Sequence, residues 1–149
     1  MLQRNEDHVL DLFSILSALE VVAVQLAAAK IDEQSAEELD VLLQEIDLFL
    51  DGKGSGDVSL FHLKIHDKLY RLAKSEKLYQ MLTELEDYIR ALAHVGHEVP
   101  GRKMEALYEH GEMIRAIQSG DVKKAAKLAQ NHIENSRNAY LHAVKRLKS

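Results

Sequence analysis

The scarcity of helix breakers is what most constrains this chain. One proline and seven glycines punctuate 149 residues, too few for the frequent turns that an all-β or α/β fold demands. Between these breaks, apolar residues recur at spacings of three and four. From about Asp7 to Lys30, Leu12, Ile15, Leu16, Leu19, Val22, Ala23 and Leu26 form one stripe, the signature of an amphipathic helix. No strand pattern is visible, and no repeat of roughly 20–50 residues.

The breakers predict six helices. Ser35 stands three residues before Glu38, a capping-box spacing, and opens a second stripe of Leu39, Leu42, Leu43, Ile46 and Phe49. Asp51-Gly52-Lys53-Gly54-Ser55-Gly56 is the clearest loop. Asp57 caps a third helix to about Ala73, and Ser75 a fourth that carries Leu78, Met81, Leu82, Leu85 and Ile89. Gly96 to Gly101, with Pro100, reads as a second loop. A fifth helix covers about Lys103 to Gln118, and Asp121 caps a sixth to about Leu147. The expectation is an all-α, antiparallel bundle of about six helices, a single domain over residues 1–149.

Composition removes several classes of function. Apolar residues are 46% and charged residues 29%, enough for a core and against disorder. Without cysteine there are no disulfides, thiolate metal ligands or cysteine nucleophiles. With 19 Lys+Arg against 24 Asp+Glu, the net charge of −5 disfavours non-specific DNA binding. Lys145, Arg146 and Lys148 complement the dipole of the last helix. No apolar run is read as long enough to span a bilayer. Met1–Asp7 lacks the basic-then-apolar order of a signal peptide, so a cytoplasmic protein with no membrane partner is expected. Gly52-x-Gly54-x-Gly56 has the wrong spacing for a dinucleotide loop, and no catalytic triad or phosphate loop is present. No catalysis is expected.

Eight histidines are the unusual feature. His62 and His66, four apart, share one helix face and can chelate a transition metal. His110 and His132 fall within apolar stripes of later helices, where a buried imidazole must satisfy two ring nitrogens. Coordination of one ion by all four rings would do so; hydrogen bonds to backbone or acids would serve equally. His8 and His142 are read as exposed helix-end residues, and His94 and His97 as loop residues, all four without a site role.

The helix order and motifs resemble the FCD domain, the C-terminal effector-binding domain of FadR-type GntR transcriptional regulators. Leu19-Glu20, Ala23 and Leu26-Ala27-Ala28 are similar to its opening helix. Ile65, His66, Ser75, Leu78, Met81 and Leu82 follow its third-to-fourth helix stretch. Glu109-His110, Ile114-Arg115-Ala116-Ile117, Gly120-Asp121, Ala125-Ala126 and His132 are similar to its most specific signature. The resemblance covers nearly the whole chain. It implies a divalent metal held by His66, His110 and His132, with His62 at the place of the family's aspartate, an all-imidazole set. Imidazole suits Zn or Ni first, with Fe and Cu also accommodated.

The resemblance further implies a small carboxylate effector, a homodimer, and DNA contact only through a winged-helix domain outside this chain, which is then a fragment or a stand-alone domain. The family's helix-one arginine falls at Leu16, so Arg90 on the fourth helix is the candidate ligand-binding cation. The alanine-rich face of the first helix suits either a dimer contact or close packing within the chain. Competing readings are a hemerythrin-like metal bundle using Glu112 and Glu134, a metal-free structural or interaction bundle, and a pH switch of clustered imidazoles.

Overall fold

Helix starts follow local capping chemistry. The Asp57 carboxylate accepts from Ser59 N (2.7 Å), Ser75 Oγ from Leu78 N (3.2 Å) and an Asp121 oxygen from Lys124 N (3.1 Å). Each satisfies an amide that the first helical turn leaves without a carbonyl partner. The second helix departs from expectation, because Asp32 rather than Ser35 is its cap. Asp32 Oδ1 accepts from Ser35 N at 2.7 Å. The chain breaks just before Asp32, which puts that carboxylate at the cap position and leaves Ser35 as the donor.

The structure, a computed structural model, describes residues 2–148, with side chains from residue 6 onward. Met1, Ser149 and the side chains of residues 2–5, on which the leader reading partly rests, lie outside the described residues. Six helices follow in order: α1 Leu2–Ala29, α2 Glu33–Leu50, α3 Val58–Leu72, α4 Glu76–Ala93, α5 Arg102–Gln118 and α6 Val122–Lys148. A short 3-10 segment, His94–Glu98, occupies part of the expected second loop. The fold is an all-α bundle, with no strand among the described residues.

Helix α1 is the axis of the bundle. It packs on α6 above all, and also on α3, α4 and α5, while α2 finds its partners in α5 and α3. The alanine face is consumed inside the chain: Ala23, Ala27 and Ala28 are buried, as are Ala125 and Ala129 of α6. Small side chains allow the two longest helices to approach closely. The expectation that no apolar run reaches membrane-spanning length is corrected. Residues Glu6–Ala29, 24 in all, are long and apolar enough to cross a bilayer, because Ser14, Ser17, Glu20 and Gln25 are too dispersed to interrupt them. Here the helix serves as a core element packed by four others.

Gly96 decides how the 3-10 segment sits. A Cβ there would meet Tyr140 N at 3.0 Å and Tyr140 Cα at 3.1 Å, so only glycine lets this segment rest on the α6 backbone. That close approach also brings Gly96 into the lining of a partly open cavity.

Candidate metal centre

Three helices each bring one imidazole to a common point: His66 on α3, His110 on α5 and His132 on α6. One ring nitrogen from each lies within 4.8 Å of the others. The ring centroids of His66 and His110 are 5.0 Å apart, and those of His110 and His132 are 4.3 Å apart. Adjacent ligand rings that share one ion at a metal–nitrogen distance of about 2.1 Å place their centroids roughly 4.5–5.3 Å apart. The arrangement is therefore close to that of a facial three-histidine set.

His62, the fourth sequence candidate, is nearby but otherwise engaged. Its Nε2 lies 3.1 Å from the Lys103 carbonyl. Its ring is 5.5 Å from His110 and 6.5 Å from His66, both beyond that range for adjacent ligands. Arg90 lines the cavity beside the histidines, but both its terminal nitrogens donate to Asp87 Oδ1 (3.0 and 3.2 Å).

The residues present suit a divalent transition ion. His110 is 1% exposed, and neither ring nitrogen has a hydrogen-bond partner; His66 Nδ1 is likewise unpartnered. Leaving such groups unsatisfied costs about 1–3 kcal/mol each. Burial disfavours the charged form of two of the rings: desolvation pushes His110 well below the usual imidazole range, and His66 down as well. His62 falls to about 3, first through burial and then through the neighbouring His66. Neutral imidazoles are the ligating form, and nitrogen donors favour Zn, Ni, Cu and Fe over Mg or Ca.

Glu109 orients the third ligand. Its Oε1 accepts from His132 Nδ1 at 2.6 Å, which leaves Nε2 as the ring's lone-pair nitrogen. Arg102, 3% exposed, grips both oxygens of Glu109 at 2.9 and 3.0 Å and also reaches Ser136 Oγ at 2.9 Å. Burial alone would raise Glu109, but bonds from His132 and Arg102 outweigh it and hold the carboxyl at about 2. Sequence reasoning recorded Glu109 only as part of a motif and missed Arg102 altogether. Their spacing of seven, two helical turns on one face, was the available signal.

A second buried chain approaches His66 from the other side. The Tyr70 hydroxyl lies 3.0 Å from both Glu20 Oε2 and Glu86 Oε1, and Glu86 Oε2 is 3.8 Å from His66 Nδ1. One phenolic proton cannot serve two carboxylates. Glu20 supplies the other, because burial first, and then the charge of Glu86, raises its pKa to about 8. A neutral Glu20 thus donates to Tyr70, which donates to Glu86.

The reading of His97 as a loop residue without a site role is corrected. The Gly96 contact carries it to 6.4 Å from the His62 ring and into the cavity wall, where His94 also contributes. Loop periodicity holds no signal for such placement. His142 is exposed, as read, while exposed His8 meets the Tyr88 hydroxyl at 3.1 Å. The acids that a hemerythrin-like site would use are elsewhere: Glu134 is exposed and Glu112 pairs with Arg115.

A family model described as the FCD domain matches residues 11–135. Among curated proteins, none matches the chain by sequence.

Proposed function

The chain belongs to the FCD domain family, regulatory effector-binding domains of GntR-type regulators, and from that premise we propose that it senses a small carboxylate at a metal held by His66, His110 and His132. The observation that carries this reading is His110, fully enclosed with both ring nitrogens unpartnered, between two other histidines. Zn or Ni is the expected ion, which when bound supplies positive charge and open coordination positions for an anion. Glu109 and Arg102 fix the His132 ring, and burial disfavours protonation of His66 and His110. The bond from His62 Nε2 to the Lys103 carbonyl leaves Nδ1 as that ring's lone-pair nitrogen, so His62 joins as a fourth ligand only if its ring moves closer to the other three.

Regulation then works through differential affinity: the ligand shifts the equilibrium between two arrangements of the assembly by as much as it binds one better. The assembly we propose is a cytoplasmic homodimer that contacts DNA through a winged-helix domain. Apolar Ile15 and Val22 of α1 and Met81, Tyr88 and Leu92 of α4 stand exposed and are candidate contact residues. The site is a sensor, with no catalytic role.

The test is elemental analysis of protein purified without a metal-affinity column, followed by calorimetric titration with Zn and Ni. About one equivalent per chain is expected, lost in the His110→Ala variant. Protein that arrives without metal and binds neither added ion would end the metal reading.

A further inference from the structure

We propose that the ligand of this cavity is an amphipathic monocarboxylate, a single carboxylate on a short apolar body, rather than a di- or tricarboxylate. The inference rests on the metal-centre reading above and adds the chemistry of the rest of the molecule bound. Three features of the cavity carry it.

The first is the apolar part of the lining. Phe13 and Leu16 of α1, Ile89 and Ala93 of α4, and Ile133 and Ala139 of α6 form it. Leu16 is 2% exposed and Phe13 5%, so α1 presents hydrocarbon where a second anionic group would need a cation. A polar group set there without a partner would be poorly tolerated.

The second is charge. Every Lys or Arg on the wall already faces a carboxylate: Arg90 with Asp87 at 3.0 Å, Arg102 with Glu109 at 2.9 Å and Lys103 with Glu98 at 3.6 Å. Glu86 also lines the cavity and faces His66, not a lysine or arginine. A divalent ion on the histidines and the Glu86 carboxylate sum to one positive charge. One ligand carboxylate neutralises it; a second would leave net negative charge in a partly open, largely apolar cavity.

The third is size. The cavity measures about 170 Å³, and a cavity of roughly 150 Å³ holds a benzene ring. A carboxylate on five carbons or on one aromatic ring is therefore the scale that fits.

The experiment uses the full chain loaded with one equivalent of Zn, after Zn binding alone has been measured by calorimetry. Hexanoate, benzoate, succinate, glutarate and hexan-1-ol are then titrated. Hexanoate or benzoate should bind about tenfold or more tightly than either dicarboxylate, with hexan-1-ol weaker than hexanoate. Leu16→Arg should reverse the order toward succinate; the wild-type ranking decides the matter even if that variant does not fold. Zn binding followed by tighter binding of succinate or glutarate, or of no acid at all, overturns this inference and leaves the metal site standing. Absence of Zn binding overturns the metal reading, and this inference with it.

Discussion

Glu20 provides the most quantitative test of the buried network. Its carboxyl is 2% exposed and rises from 4.5 to about 8, chiefly because ionisation in the interior is opposed by desolvation. Between these values the folded chain holds a proton that the unfolded chain has released. Stability from this group is therefore complete below about pH 4.5, declines as pH rises, and is gone above about pH 8. At about 1.4 kcal/mol per pKa unit, the ceiling is about 5 kcal/mol; relaxation around a shared proton lowers it, and about 2–5 kcal/mol is expected.

The Glu20→Gln variant keeps a donor for the Tyr70 oxygen and cannot ionise. Urea unfolding of metal-free wild type and variant, from pH 5 to pH 8.5, should give similar stability at pH 5. At pH 8.5 the variant should be the more stable by about 2–5 kcal/mol. The difference between the two proteins is the quantity to read, because His62, His66 and His110 titrate in the opposite sense. Their folded pKa values lie below 6.5, His62 at about 3, so their contribution is present above pH 6.5 and lost on acidification. Parallel curves for the two proteins would refute a neutral buried Glu20.

Saturating Zn, at about a hundred times its dissociation constant, should stabilise the wild type by about 2.7 kcal/mol, a rise of roughly 5–10 °C in melting temperature for a chain of this size. His110→Ala should abolish the rise; an undiminished shift in that variant would place the ion elsewhere. Glu109→Gln should weaken Zn binding by about 10–100-fold while leaving the helical signal intact, read by competition with a chelating dye; unchanged affinity would show that the His132 ring needs no orienting carboxylate. Gly96→Ala should cost about 1–3 kcal/mol, because the added methyl meets the Tyr140 backbone rather than a side chain that can turn away. An unchanged urea midpoint would mean that the 3-10 segment rides freely over α6.

What the sequence by itself determined is what short-range periodicity can carry. Breakers and stripes placed six helices, Asp57, Ser75 and Asp121 declared three of their starts, His62 and His66 shared a helix face by their spacing of four, and His110 and His132 stood on apolar stripes. Each is a relation among residues a few positions apart, set by helix geometry alone. Only the tertiary structure decided that His62 turns to the Lys103 carbonyl, that His97 enters the cavity wall and that the alanine face of α1 is used within the chain. The Arg102–Glu109–His132 relay and the Glu20–Tyr70–Glu86 chain also belong to it, joining residues up to 50 positions apart in the second case. Such neighbours are selected by how side-chain volumes fill the space between helices, a property of the packed whole that no local repeat of three or four residues records.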